Sequence, residues 1–348
     1  MRYSLLAKMF LVLAAICLVS CSVLAQVSKK NDKSLPKFRI LTVSDSCHFG
    51  NTCMAWSSDS RFLAVSAQSS LRIYDTSKKK MIADTAFLSD ITSICFTRNN
   101  QVQQLSVAFL DASLDTFSLD PFVKTNHAVC SNTISDLAMT FSGELIDKVK
   151  QNDYLKVVSI DWLTGKFVKT FVDLTPLNQE GYKGSYGVFY NNPCSIILLS
   201  NRSEKIIFTI STSEKQTIQK LDNPDSRNPT VYLAMALDEK SYLESRNGYS
   251  FSLYDIDGNR GKKIVSTPMY LMRKQCYFDG KYLLDLVQDN SYTSLVLVNA
   301  ATDKVTYFGG YSPNFYRQVL ASPDRKMISV LSIGGSFYIA QFDLNALK

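Results

Sequence analysis

Two histidines and eight cysteines are the side chains of this sequence best suited to nucleophilic or metal chemistry. Nucleophilic catalysis needs a Ser, Thr or Cys beside a base that a third group orients. The only imidazoles are His48 and His127, and we predict that each lies in a solvated loop. No two cysteines have the Cys-x-x-Cys spacing of a zinc site. The sequence therefore predicts no catalytic residue, no metal site and no cofactor.

The acidic residues offer a second route to catalysis, because carboxylates from distant parts of a chain can pair to cleave glycosidic bonds. Many Asp residues of this sequence recur at one kind of position, a turn between two short apolar runs. Examples are Asp59, Asp75, Asp255 and Asp343. Asp side chains hold turns by accepting hydrogen bonds from nearby backbone N–H groups. We therefore predict a structural role for these residues.

Residues 1–25 have the layout of an export signal. Two basic residues precede the apolar run Met9–Val19, which is too short to span a bilayer. Two processing sites fit the residues that follow. A bacterial lipobox ending at Cys21 would make that cysteine a lipidated N-terminus, and an ordinary signal-peptidase site precedes Gln26. We predict a periplasmic or outer-membrane lipoprotein if the source is bacterial, and otherwise a secreted protein.

Residues 26–36 are polar and predict a short tether, which leaves residues 37–348 for the folded domain. In an exported chain, closely spaced cysteines can form a disulfide. Cys47 and Cys53 bracket a short loop, and the sequence leaves open whether they pair or stay as separate thiols. The net charge of +7 is small for 348 residues, and Lys78–Lys80 is the only dense basic run. No nucleic-acid partner is predicted.

The chain after the tether repeats itself with a period of about 44 residues. Residues 55–75 show the unit best: apolar runs alternate with a Ser-x-Asp turn and a polar turn, and end in an alternating, strand-like run. One insertion, near residues 175–185, lengthens the spacing. Four short strands per copy predict the blades of a seven-bladed, all-β propeller. Aligned on the end of the third strand, the copies give Asp75, Leu119, Trp162, Ser211, Asp255, Asn299 and Asp343.

The last copy, residues 315–344, supplies only three strands. Residues 37–43 precede the first copy and themselves predict a strand. We predict that this N-terminal strand becomes the outer strand of the last blade, because such a closure leaves no unpaired edge at the junction.

The repeat resembles the WD40 and YVTN-type seven-bladed β-propellers over about residues 37–345. The first copy is the most similar, since its Tyr74-Asp75 stands where WD40 repeats carry Trp-Asp. The resemblance implies a seven-bladed propeller whose rigid rim of loops binds a protein.

The predicted binding face combines the loops between second and third strands with the loops between blades. Tyr and Arg are frequent anchors of interfaces. The candidate residues are Lys150, Tyr182, Tyr186, Arg202, Arg246, Tyr249, Asn290, Tyr292, Tyr311 and Tyr316. We predict a non-enzymatic binding or scaffold protein that is secreted or belongs to the cell envelope, with a lipid anchor if Cys21 is modified. The alternative is a propeller hydrolase, lyase or lactonase-like enzyme with its site at the central channel.

Overall fold

The described part of the chain is almost entirely β-structure. Its one helix is the short 3₁₀ segment Leu344–Ala346, and no helix there is long and apolar enough to cross a membrane. The computed structural model describes residues 39–44, 52–99, 102–151, 154–173, 187–200, 204–212, 214–220, 232–245, 251–256, 260–264, 270–289, 292–302, 304–311, 316–332 and 337–347.

Five sheets of the described residues have four strands each, and in each sheet the strands follow one another in sequence order. Strands are numbered in chain order. Sheet 1 contains β2 (Thr52–Trp56), β3 (Phe62–Ala67), β4 (Ser70–Asp75) and β5 (Lys80–Ala86). Sheet 2 contains β6 (Ile91–Asn99), β7 (Val102–Phe109), β8 (Ser113–Leu119) and β9 (Phe122–Val129). Sheet 3 contains β10 (Ala138–Met139), β11 (Leu145–Gln151), β12 (Tyr154–Ile160) and β13 (Phe167–Asp173). Sheet 4 contains β14 (Gly187–Phe189), β15 (Ile196–Ser200), β16 (Glu204–Thr209) and β17 (Glu214–Lys220). Sheet 5 contains β18 (Tyr232–Met235), β19 (Ser241–Ser245), β20 (Phe251–Asp255) and β21 (Arg260–Ile264).

The remaining described strands form one sheet of eight, which consists of two antiparallel halves. A single parallel pair, Gln275 opposite Gln318, joins the halves. The first half contains β22 (Tyr270–Phe278), β23 (Tyr282–Asp289), β24 (Tyr292–Asn299) and β25 (Lys304–Tyr311). The second half contains β26 (Tyr316–Ala321), β27 (Met327–Ser332), β28 (Phe337–Gln341) and β1 (Arg39–Ser44).

The N-terminal strand closes the ring as predicted. β1 lies at the outer edge of the second half and pairs antiparallel with β28, with Arg39 opposite Gln341 and Ser44 opposite Phe337. The first and last described strands therefore belong to one sheet, and the predicted closure is confirmed.

The alignment of the repeat is also confirmed. The third strands β4, β8, β20 and β24 end at the aligned residues Asp75, Leu119, Asp255 and Asn299. In the other copies the aligned residue follows the end of the third strand by two positions, as Trp162 follows Ile160. The sequence period therefore corresponds to one four-stranded unit.

The Ser-x-Asp turns use their side chains as predicted. Ser57 Oγ donates to Asp59 Oδ1 (2.7 Å) and accepts from Phe62 N (2.7 Å), while Asp59 Oδ1 also accepts from Arg61 N (3.0 Å). Ser322 and Asp324 repeat the arrangement near the end of the chain. Local hydrogen bonds of this kind fix a tight turn.

Asp75 holds the closing turn of sheet 1 in the same way. Its buried carboxylate accepts from Ser77 Oγ (2.6 Å), Lys78 N (3.0 Å) and Arg61 Nη2 (2.9 Å). Burial alone would raise the pKa of Asp75, but the hydrogen bonds from Ser77, Arg61 and Lys78 outweigh it and hold the pKa at about 2. Asp75 therefore stays ionised, as its structural role requires.

The core consists of apolar clusters between neighbouring sheets. Ala64 and Ile73 of sheet 1 pack with Val107 of sheet 2, and one cluster with Leu284 and Val330 lies between the two halves of the eight-stranded sheet. Each described neighbour pair around the ring has such a cluster. First strands of adjacent sheets, such as β2 and β6, contact one another, so they surround the axis of the ring.

Close packing between sheets 2 and 3 yields a first prediction. Gly165 has a φ of +71°, and a Cβ there would lie 2.8 Å from the carbonyl oxygen of Val129. Gly143 has a φ of +88° with nothing within 4 Å of its Cβ position. Gly143→Ala should cost about 1 kcal/mol of unfolding free energy, from backbone strain alone. Gly165→Ala should cost a further ~1–3 kcal/mol because the backbone of Val129 must move.

Urea denaturation of the two variants checks this prediction. Gly143→Ala is the matched control, since both substitutions add one methyl group at positive φ. Equal losses of unfolding free energy would show that the contact between sheets 2 and 3 is not close.

Candidate functional site

Polar side chains near the ring axis form a cluster that connects four neighbouring sheets. We call Cys53, Thr92, Asp136, Asp147 and Tyr190 the inner polar cluster. Cys53 and Thr92 lie on the first strands β2 and β6, Asp136 precedes β10, and Tyr190 follows β14. Asp147 lies on the second strand β11 and has no exposed surface.

Asp147 holds the backbone of the residues just before β10. Its Oδ1 accepts from Ser135 N at 3.1 Å and from Asp136 N at 2.7 Å. The side chain of Ser135 in turn donates to the carbonyl oxygen of Lys148 at 2.9 Å. Because the backbone N–H groups of Ser135 and Asp136 donate to this carboxylate, they do not form strand-to-strand hydrogen bonds with β11. β10 is therefore limited to Ala138–Met139.

Asp136 ties sheet 3 to sheet 4. Its carboxylate pairs with Lys148 Nζ at 2.8 Å, and its carbonyl oxygen accepts from the hydroxyl of Tyr190 at 2.6 Å. Burial, and then the nearby charge of Asp136, raise the pKa of Tyr190 well above its usual value. Tyr190 therefore acts as a neutral hydrogen-bond donor.

Sheets 1, 2 and 3 are joined by the same kind of bond. Cys53 Sγ donates to the carbonyl oxygen of Thr92 at 3.3 Å, and Thr92 Oγ1 donates to the carbonyl oxygen of Ile134 at 2.5 Å. Ser93 Oγ accepts from Leu137 N at 2.9 Å. Cys53, Thr92 and Tyr190 therefore link sheets 1 to 4, while the carboxylates of Asp136 and Asp147 bond within sheet 3.

The described thiols are poor nucleophiles. Burial raises the pKa of Cys53 and of Cys130 to about 11, and that of Cys95 and of Cys194 to about 12. A thiol with such a pKa is protonated at neutral pH, whereas the thiolate is the reactive form. Cys47 lies outside the described residues, so its disulfide with Cys53 stays a prediction.

The Asp147 carboxyl group has a pKa near neutral pH. Burial raises its pKa to about 7, with a further contribution from the negative charge of Asp136, against the lowering effect of its backbone hydrogen bonds. Its Oδ2 has no hydrogen-bond partner among the described residues. This carboxyl group can therefore take up or release a proton under mild conditions. Sequence reasoning missed it, because nothing in residues 145–151 marks Asp147 as the partner of Ser135 and Asp136.

The predicted loop position of His127 is wrong. His127 lies on β9, the outer strand of sheet 2, and its Nδ1 is 2.6 Å from Asp115 Oδ1. Lys124 Nζ contacts the other oxygen of Asp115 at 3.1 Å. The side chains of His127 and Lys124 are about half exposed, so this group of contacting polar side chains lies on the outside of the ring. His48 and Cys21 lie outside the described residues.

A second buried polar contact lies between sheets 4 and 5. Lys205 of β16 and Glu244 of β19 form an ion pair with almost no exposed surface. Lys205 Nζ also lies 4.5 Å from the ring centroid of Tyr254, which stacks on Tyr242 at 5.2 Å. The aromatic rings and the carboxylate together stabilise a buried cation. Within the described ranges, no group of three or more His, Cys, Asp or Glu residues is arranged to hold a metal ion.

The structure describes four of the ten candidate residues of the binding face. Lys150 lies on β11, Tyr292 begins β24, Tyr311 ends β25 and Tyr316 begins β26. These residues belong to strand ends, although the sequence predicted loops. The residues outside the described ranges are Tyr182, Tyr186, Arg202, Arg246, Tyr249 and Asn290.

Comparison with known proteins bears on the fold alone. No protein-family model matches the chain, and no curated protein matches its sequence. Among solved structures, the chain is similar to the β-propeller domain of Cps50 (Swd1) from Myceliophteria thermophila. The TM-score is 0.64 at 13% identity, over 88% of this chain and 99% of that chain. The similarity shows a WD40-type β-propeller fold.

The raised pKa of Asp147 predicts an unusual dependence of stability on pH. Its pKa is about 7 in the folded protein, against 3.8 for an ordinary Asp. The protonated form therefore stabilises the fold fully below about pH 4, and this contribution is lost as the pH rises to about 7. Asp147→Asn keeps the acceptor for both backbone N–H groups but cannot ionise. Its unfolding free energy relative to the parent should rise by on the order of 2–3 kcal/mol between pH 5 and pH 8.

Urea denaturation of both proteins at the two pH values measures this difference. Asp161→Asn is the control, because a hydrogen bond from Thr164 Oγ1 lowers the pKa of Asp161. Both pH values then lie above the range in which Asp161 titrates. The difference in unfolding free energy between Asp161→Asn and the parent should therefore stay constant. A constant difference for Asp147→Asn as well would mean that the carboxyl group is already ionised at pH 5.

Proposed function

We propose that this chain is a seven-bladed β-propeller that acts as a non-enzymatic binding scaffold for a protein partner. Each half of the eight-stranded sheet has four antiparallel strands, and one residue pair joins the halves. An apolar cluster lies between the halves, as it does between the other neighbouring sheets. These observations support counting each half as a blade.

The binding function rests on one observation: the polar groups at the centre of the ring are engaged in structural hydrogen bonds. The inner polar cluster engages its hydroxyl and thiol groups in bonds between sheets, such as Tyr190 to Asp136 and Thr92 to Ile134. Its carboxylates bond within sheet 3 and the residues that lead into it. These bonds produce a rigid ring, on which the connections between strands form the surface available to a partner. Propellers of this kind commonly serve as scaffolds for protein interaction, and this step is an analogy from fold.

An enzyme with a site at the central channel is the second candidate, and Asp147 is the residue that favours it. A carboxyl group that titrates near neutral pH can act as a general acid or base. A general acid or base must also reach the substrate within hydrogen-bonding distance. Asp147 has no exposed surface, and its Oδ1 is held by two backbone N–H groups. The scaffold is therefore the better interpretation.

We propose that the partner binds the face formed by the connections between second and third strands and between sheets. The described candidates support this choice by position, since Lys150, Tyr292, Tyr311 and Tyr316 all lie at strand ends that lead to these connections. The opposite face carries the short turns, whose side chains, such as Asp59 and Asp75, are engaged in holding them.

A combined variant tests the binding face. Changing Arg202, Arg246, Tyr249 and Tyr292 to Ala should abolish capture of partners from an extract of the source cells, because anchors of these types supply most interface energy. Circular dichroism must show the parent fold. The matched control changes Phe141 and Leu163, which are exposed on the opposite face, to Ala. If the combined variant captured every partner of the parent, this face would not be the interface.

We propose that the protein is exported, on the strength of the N-terminal sequence. Intact-mass measurement of the protein from its source should then show a chain without its first 20 to 25 residues. An acyl group on Cys21 would establish a membrane-anchored lipoprotein, and a chain that begins at Gln26 would establish ordinary cleavage. A mature chain beginning at Met1 would contradict export.

A further inference from the structure

Three aliphatic side chains project into solvent on the connections of sheet 2. Leu88 is 110% exposed, Val129 is 65% exposed and Leu110 is 57% exposed. Leu88 lies between β5 and β6, Leu110 between β7 and β8, and Val129 at the end of β9. Leu88 and Leu110 therefore lie on connections of the face that we propose for binding, and Val129 lies where the outer edge of sheet 2 meets sheet 3. We call the three residues the leucine patch.

Hydrogen bonds hold the three connections against one another. Leu110 N donates to the carbonyl oxygen of Asp90 at 2.8 Å, and Asp111 N donates to Ser89 Oγ at 3.3 Å. Thr133 Oγ1 donates to the carbonyl oxygen of Leu110 at 3.2 Å. These bonds hold the segments that carry Leu88, Leu110 and Val129 next to one another.

The exposure of Leu88 is imposed by its neighbours in the chain. The ring of Phe87 packs edge-on against Phe109 at 5.0 Å and against Phe117 at 5.9 Å. On the other side, Ile91 is fully buried and its N–H donates to the carbonyl oxygen of Gln68 at 2.8 Å. Leu88 is thus held in solvent between two anchored residues, and burying it would gain roughly 1.5–3 kcal/mol.

The leucine patch is flanked by negative charge in a chain of net positive charge. Asp90 and Asp111 are exposed, and they are the only charged residues of segments 87–90, 110–112 and 129–133. Asp111 accepts from Ser113 Oγ at 2.6 Å, and this bond lowers the pKa of Asp111, which keeps it ionised. The surface therefore combines exposed apolar side chains with the carboxylates of Asp90 and Asp111.

We propose that the leucine patch binds a short partner segment in which aliphatic residues are combined with Lys or Arg. This inference rests on the proposed scaffold function and names the chemistry of its partner. Three side chains offer apolar area on the order of a few hundred Å². A stable interface between two folded proteins buries about 800 Å² on each partner, so the patch matches a segment better than a second globular copy.

Binding of short synthetic peptides measured by fluorescence anisotropy tests the proposal. The probes are an alternating Lys/Leu peptide, the same peptide with Glu for Lys, and the same peptide with Ser for Leu. The Lys/Leu peptide should bind at least about tenfold more tightly than either of the others. The double variant Leu88→Ser/Leu110→Ser should weaken that binding about tenfold or more. Asp90→Asn/Asp111→Asn should weaken it and reduce its dependence on salt.

The matched control is Val102→Ser/Phe141→Ser, which removes exposed apolar side chains from the opposite face. This variant should bind the Lys/Leu peptide as the parent does, and circular dichroism should show all variants folded. Equal binding of the Glu/Leu peptide, or equal loss in the control variant, would overturn the proposal.

Two further measurements separate this inference from the proposed scaffold function. If sedimentation shows a dimer that Leu88→Ser/Leu110→Ser converts to a monomer, a second copy covers the patch and the proposal is wrong. If that variant loses neither partner capture nor peptide binding, the patch inference fails while the scaffold function stands. If the parent captures no partner but binds the Lys/Leu peptide through the patch, the scaffold function fails and the patch stands.

Discussion

Contact between the faces of neighbouring sheets is the interaction on which the rest of this structure depends. A four-stranded sheet with two apolar faces cannot remain alone in water, and here each sheet covers a face of the next. Burial is almost complete at these interfaces, as Leu63, Ile73 and Leu284 illustrate with no exposed surface. Because both faces of each sheet must be covered by a neighbour, the first and last sheets must also pack together, and the sheets close into a ring.

Hydrogen bonds between the sheets fix their relative positions, which apolar packing alone does not. Apolar faces alone would allow sliding, whereas bonds such as Trp56 Nε1 to Ser329 Oγ (2.9 Å) fix one register. Glu239 of sheet 5 reaches sheet 4 and accepts from Ser195, and Arg325 reaches Asp279 across the halves of the eight-stranded sheet. Such bonds contribute little net energy when made and cost much when broken, so they select a single arrangement.

The sequence predicted the repeating unit, the ends of the third strands and the closing role of the N-terminal strand. These features depend on short-range alternation and on turn residues, such as Asp59 and Asp75, whose bonds are local. The prediction for His127 was wrong because β9 is an outer strand whose four central residues, 124–127, are all polar, so the middle of the strand has no alternating apolar pattern. Asp147 was missed for a different reason. Its raised pKa depends on burial and on Asp136, which become its surroundings only after folding.

The pairing of β1 with β28 has a consequence for biosynthesis. Arg39 pairs with Gln341, so residues up to Gln341 have to leave the ribosome before this contact can exist. Until then, the face of sheet 1 that carries Met54, Leu63 and Tyr74 has no cover. Contacts between residues so far apart in sequence form slowly, because the entropy of closing the intervening loop opposes them. A nascent chain in which sheets 1 to 5 have formed is therefore an incomplete ring with exposed apolar faces, which is prone to aggregate. The pairing of β28 with β1 covers these faces and removes that risk.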